Sequence, residues 1–208
     1  MVTAEPIIAC AMTKLAPFSD PLDQWLPSGE LWVFGYGSLM WSPGFRYTLE
    51  AAGIVHGYHR SLCVYSHRYR GTPERPGLVM GLCRGGSCWG IAYRVPAAGA
   101  RDVLEYLWHR EMRNRVYMPR LVAVRLGAKR VRALAFIADA AHPQFAGDLK
   151  LAESARIVAR CSGERGHNLE YLQRTLSHMH ELGVRDPHLD RVLARASALV
   201  KDRRSRRA

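Results

Sequence analysis

The feature that most limits the fold of this chain is an order. Every strand-like run ends before residue 139, and three of the four helical patterns begin after residue 148. Runs rich in β-formers are expected at Leu31 to Tyr36 and at Ile54 to Tyr65. Leu78 to Cys83 and Cys88 to Val95 read as a hairpin around an Arg84 to Ser87 turn. Leu121 to Leu126 and Val131 to Ile137 read as a second hairpin around Gly127 to Arg130. Helical spacing appears once among the strands, at Ala100 to Glu111, then at Leu151 to Cys161, Asn168 to Leu182 and His188 to Val200. Strands followed by helices predict an α+β fold: a mainly antiparallel, barrel-like sheet flanked by helices, with a helical C-terminal segment.

Length and composition limit the organisation. The 208 residues suit one domain, expected at residues 31–200, and 48% hydrophobic against 23% charged residues supply a core. Residues 1–30 carry Pro6, Pro17, Pro21 and Pro27 and read as an N-terminal extension. Residues 201–208 hold five basic side chains and one Asp, and read as a solvated, disordered tail. No run reaches the ~18 apolar residues of a membrane span, and Glu5 stands where a secretory signal carries positive charge. A cytoplasmic protein is expected, with no membrane partner.

A formal charge of +12 invites a nucleic-acid reading, but no RNP, KH or helix-turn-helix signature accompanies it. A basic RNA-binding module is therefore the remote alternative, and nucleic acid is not expected as a partner. The cysteines, Cys10, Cys63, Cys83, Cys88 and Cys161, form no C-x-x-C pair, which argues against zinc and disulfide frameworks. Cys83 and Cys88 are expected to face each other as small apolar residues across the Gly85-Gly86 turn. The nine histidines form no H-E-x-x-H pattern, so no metal is expected.

One carboxylate stands on the wrong face of its helix. Ala100, Val103, Leu104, Leu107 and Trp108 make an apolar stripe. Steps of 100° place residue 111 about 20° from residue 104 and about 40° from residue 107. Glu111 therefore points with the stripe, where an ionised carboxylate costs several kcal/mol unless paired. Either it finds partners among Arg110, Arg113 and Arg115, or it turns to water, or burial tunes it for acid–base work.

The run Gly35-Tyr36-Gly37-Ser38-Leu39-Met40-Trp41 ends the first strand with two glycines and a serine. Glycine allows a sharp turn and close approach of a ligand to backbone N–H groups. By itself this motif fits an ordinary turn as well as a ligand cradle. The surrounding W-V-F-G-Y-G-S-L-M-W resembles the opening motif of the ChaC family of γ-glutamylcyclotransferases, in its bacterial branch. The resemblance continues through R-G-T-P-E-R-P-G-L-V at Arg70 to Val79, W-G-I-A-Y-R-V-P at Trp89 to Pro96, and L-W-H-R-E-M at Leu107 to Met112. It extends to F-I-A-D-A-A-H-P and S-G-E-R-G-H-N-L-E-Y-L further on. Val116 before Tyr117, and a basic Met112 to Arg120 loop, depart from the family pattern.

The resemblance implies a γ-glutamylcyclotransferase-like fold and a lyase that splits glutathione into 5-oxoproline and cysteinylglycine. Gly35, Tyr36, Gly37, Ser38, Leu39 and Met40 would hold the γ-glutamyl group, and Glu111 would be the general acid and base. Asp102, Arg70 and Tyr117 are supporting candidates. The substrate's own α-amine is the nucleophile, so the route needs no metal or cofactor. Another γ-glutamyl amine or dipeptide is the alternative substrate.

Overall fold

The computed structural model describes residues 22–206. Cys10 and most of the N-terminal extension lie outside the described residues. Five strands form the body: β1 (Leu31–Gly35), β2 (Leu49–Ser66), β3 (Gly77–Val95), β4 (Tyr117–Leu126) and β5 (Lys129–Ala138). They close into a barrel in the order β1-β3-β2-β4-β5. Every neighbouring pair is antiparallel except β1 and β5, which meet in parallel at Val33 and Leu134 and close the ring. Four helices follow or interrupt them: α1 (Ala100–Glu111), α2 (Leu151–Arg160), α3 (Asn168–Glu181) and α4 (Pro187–Ser205). The two short strands β6 (Ser162–Gly163) and β7 (Gly166–His167) join α2 to α3.

One expected hairpin is a different structure. No turn occurs at Arg84 to Ser87, and β3 runs straight through as the partner of β2 from Leu49↔Arg94 to Ser66↔Gly77. Gly85 and Gly86 have φ of 95° and 70°, and the register slips opposite them between His56 and Tyr58. Paired glycines with positive φ serve a bulge as well as a turn, and here they make the bulge. The true β2–β3 connection is the loop 67–76. Cys83 therefore does not meet Cys88. Its Sγ lies 3.3 Å from that of Cys63, while the Cys88 thiol donates to the Trp89 carbonyl.

Two apolar clusters hold helices to the barrel. On one side the α1 stripe of Ala100, Val103, Leu104 and Leu107 packs with Leu31, Val33, Tyr93, Leu134 and Phe136. Leu104 and Leu107 are fully buried, so truncating either to Ala costs about 2–5 kcal/mol. On the other side α2, α3 and α4 pack Val158, Leu172, Leu176, Met179, Val192 and Ala196 against a cluster containing Leu78, Met80 and Leu82. Buried Asn168 pins the start of α3 to β3, accepting from the Leu78 amide at 2.7 Å and donating to the Leu78 carbonyl at 2.6 Å. The residues expected as a tail begin as helix, because α4 continues past Val200 to Ser205. Among the described residues no helix is long and apolar enough to cross a membrane.

Candidate active site

The apolar stripe of α1 carries Glu111 off the end of the helix into a cleft at the barrel rim. Tyr36, Gly37, Ser38 and Leu39 line it from one side, Arg110, Glu111 and Tyr117 from another, and Arg70 and Tyr171 from a third. The Glu111 side chain is 17% exposed, and its Oε1 lies 3.0 Å from Arg110 Nε. Two of the sequence readings thus coexist: the carboxylate is largely shielded from solvent and it is paired. Burial raises its pKa above the ordinary carboxyl value, and the Arg110 guanidinium and the field of Arg165 offset only part of that rise.

Arg110 is the hub of this corner. Its Nη1 donates to the carbonyls of Ser42 (2.6 Å) and Pro43 (3.0 Å) and to the Tyr106 hydroxyl (3.0 Å). Its Nη2 donates to Ser38 Oγ at 2.9 Å, so one guanidinium fixes Glu111 and the glycine turn together. A fork of five donors suits this better than an ammonium.

The turn itself is shaped by contacts from the barrel. After Gly35 the chain winds through a 3-10 turn at Ser38–Met40. A Cβ on Gly35 would stand 2.9 Å from the Leu39 Cβ, so only glycine lets the turn fold back this closely. Buried Arg60 donates from Nε to the Tyr36 carbonyl (2.5 Å) and from Nη2 to the Trp89 carbonyl (2.6 Å). A planar trans peptide then sends the Gly37 N–H away from Arg60, and Gly37 itself lines the cleft. Among the described residues the amides of Gly37, Ser38 and Leu39 carry no protein hydrogen bond. They are free to meet an oxyanion or a carboxylate.

Three buried tyrosines surround the carboxylate. Tyr36 donates to the Phe136 carbonyl and Tyr117 to the Met80 carbonyl (2.9 Å). The Tyr171 hydroxyl instead accepts from the Met80 amide at 2.9 Å, and its own proton is donated to nothing among the described residues. Burial pushes its pKa up to about 12, so it remains a neutral donor. Tyr36 and Tyr117 are pushed above the ordinary phenol value, again by burial first, with the Glu111 charge adding to each.

The candidates from sequence divide accordingly. Tyr36, Gly37, Ser38, Leu39, Glu111, Arg70 and Tyr117 share the cleft. Gly35 shapes the turn from its strand end, and Met40 is buried beneath it, so neither lines the cleft. Asp102 does not belong to the site: it is exposed in the first turn of α1. Nine helical steps from Glu111 amount to about two and a half turns, which places it on the opposite face. Nothing local in the sequence points to Arg60 or Tyr171, whereas Arg110 stands next to Glu111 and is a natural partner for it. Among the described residues no group of three or more His, Cys, Asp or Glu is placed to hold a metal ion.

Comparison with known proteins gives these features a lineage. A family model described as ChaC-like protein matches residues 31–200. The chain is 35% identical over 175 residues to the glutathione-specific γ-glutamylcyclotransferase of Escherichia coli K12, covering 84% of this chain and 76% of that one. It is 34% identical over 188 residues to glutathione-specific γ-glutamylcyclotransferase 1 of Danio rerio, covering 87% and 96%. A crystal structure of the yeast γ-glutamyl cyclotransferase specific to glutathione shares the fold at a TM-score of 0.76 and 23% identity, covering 82% of this chain and 96% of that one. With the match spanning barrel, cleft and C-terminal helices, the chain belongs to the ChaC family.

Proposed function

We propose that this protein is a γ-glutamylcyclotransferase that cleaves glutathione to 5-oxoproline and cysteinylglycine, with Glu111 as its general base and acid. The observation that carries this reading is a buried carboxylate of raised pKa facing a turn whose amides are unclaimed. The chemistry needs both. An α-amine ordinarily titrates near pH 8, at about the value found in simple peptides, so much of the substrate is protonated near neutrality and must lose a proton to attack. That first proton leaves to solvent, and as the neutral amine nitrogen bonds to the γ-carbonyl carbon Glu111 takes the second. The amides of Gly37 to Leu39 and the Tyr171 hydroxyl stabilise the oxygen charge that develops. Collapse breaks the bond to the cysteinyl nitrogen, and Glu111 returns the proton to that leaving nitrogen. The reaction is intramolecular, so much of the gain comes from holding the glutamyl chain folded, with amine and carbonyl about 3 Å apart.

Arg70, Arg113 and Arg165 line the same cleft beyond Glu111. Arg70 is buried, lies over the Tyr171 ring at 5.4 Å, and donates to the His167 carbonyl, with no carboxylate partner among the described residues. Such a set suits the glycyl carboxylate of glutathione and favours it over a neutral γ-glutamyl amine. A glutathione-consuming enzyme of this kind fits the cytoplasmic location expected from sequence.

Chromatographic detection of 5-oxoproline across glutathione, γ-glutamylcysteine and neutral γ-glutamyl amines tests the reading. Glutathione should be turned over with kcat/KM at least about tenfold above the neutral amines. Preference for a neutral amine would move the assignment to the second substrate class, and no 5-oxoproline from any of them would overturn the activity.

A further inference from the structure

The strands β1 to β5 carry eight Lys and Arg and a single carboxylate, Glu50, which is engaged by the Tyr47 hydroxyl. None of this imbalance is needed for the cleft described above, except at Arg60. Part of it is concentrated in one row across four strands. Trp89 of β3 pairs with Ile54 of β2, Ile54 with Arg125 of β4, and Arg125 with Arg130 of β5. Paired residues point to the same face, and here it is the outer one: Trp89, Arg125 and Arg130 are exposed, with Ile54 covered between them. Arg132 stands two residues along β5 on the same face and is also exposed.

Two arginines directly opposite each other repel, which disfavours the sheet unless an anion lies between them. Arg125, Arg130 and Arg132 make no ion pair or side-chain hydrogen bond among the described residues. At the other end of the row Trp89 is 39% exposed, and among the described residues its ring stacks on no other. A row of guanidinium groups ending in a partly exposed indole is complementary to a polyanion whose charges alternate with π-faces. Strand residues two apart are separated by about 6.8 Å, close to two steps of a stacked nucleic-acid strand at about 3.4 Å each. The row is built from strand residues, which do not enter a duplex groove as a helix does, whereas a single strand lays phosphates on the arginines and a base on the tryptophan.

We propose that the outer barrel face bearing Trp89, Arg125, Arg130 and Arg132 binds single-stranded RNA, as a second activity separate from the cleft. An anionic membrane surface would also meet the arginines and the indole, but it carries no fixed repeat to match the spacing of Arg130 and Arg132 along β5.

The test is fluorescence anisotropy of a labelled oligouridylate of about 20 nucleotides with the full chain, titrated at several salt concentrations between about 50 and 200 mM. Binding should weaken with salt. The variant R125E/R130E/R132E should bind at least about tenfold less tightly and reduce the log–log salt slope by about 2, at roughly 0.7 per phosphate contact. Trp89→Ala should weaken binding severalfold and Trp89→Phe should restore it, because stacking needs only an aromatic face. The triple variant should release 5-oxoproline like the parent, which also reports that it folds. No salt-sensitive binding by the intact chain would overturn the proposal. So would binding unaltered in the triple variant, which would place the contact on the basic C-terminal residues. Binding to vesicles containing phosphatidylserine without binding to the oligonucleotide would overturn it in favour of a membrane surface.

Discussion

The arginines of the cleft and those of the outer sheet face carry the same charge and are held in opposite ways. Arg110 has a carboxylate, a hydroxyl from the turn, a tyrosine and two carbonyls around one guanidinium. Arg60 is buried with two carbonyls. Arg125, Arg130 and Arg132 stand in solvent with no partner among the described residues. The first kind is preorganised: its ordering is complete before a ligand arrives, so it can fix atoms to fractions of an ångström. The second kind keeps its freedom and acts through its field, which salt screens over about 10 Å. Chemistry on a small molecule requires the first, and charge-led association requires only the second.

Breaking the preorganised side should have the larger consequences. Glu111→Gln should lower kcat for 5-oxoproline release by about a thousandfold, within the range for removal of a general base. Because burial raises the Glu111 pKa, the folded state holds that proton more tightly than the unfolded chain. The stability it contributes is full below the unfolded value near 4.3 and is lost as pH rises through the folded value. At neutral pH the ionised carboxylate costs stability, so Glu111→Gln should melt no lower than the parent in a calorimetric scan, despite its loss of turnover.

Arg110→Met comes next. It frees Ser38 and leaves the carboxylate unopposed, so kcat should fall by about a hundredfold and the acidic limb of the rate profile should move upward. Arg60→Met should raise KM by about tenfold with a smaller loss in kcat, since it releases the Tyr36 carbonyl rather than touching the reacting atoms. Arg60→Lys should recover part of this, and steady-state kinetics at constant salt separate the two parameters. The smallest effect belongs to the other surface: R125E/R130E/R132E should leave turnover of glutathione within about twofold at physiological salt, where the field is screened.

The same contrast explains what the sequence revealed. The α1 stripe was legible because a helix repeats every 3.6 residues, and that period alone put Glu111 on the buried face. The strand-to-turn motif at Gly35 to Met40 was legible as a turn, since glycine has few other uses at a strand end. The pair Gly85-Gly86 misled, because positive φ is required equally by a hairpin turn and by a bulge, and only pairing with β2 decides between them. Arg60 and Tyr171 were invisible for a different reason. Each works through a backbone partner far away in the chain, Tyr36 for one and Met80 for the other, and no local pattern marks such a contact. Asp102 was excluded by the same helical arithmetic that selected Glu111 once it was applied to a spacing of nine.

Turnover depends, above all, on a buried carboxylate, tuned by burial against Arg110, that moves the proton. The pH dependence of kcat/KM for glutathione measures this directly. The expected result is an acidic limb governed by one group whose apparent pKa lies above the ordinary glutamate value of about 4.3, absent from the residual activity of Glu111→Gln. A limb at or below that value, or one that persists unchanged in the Gln variant, would contradict it.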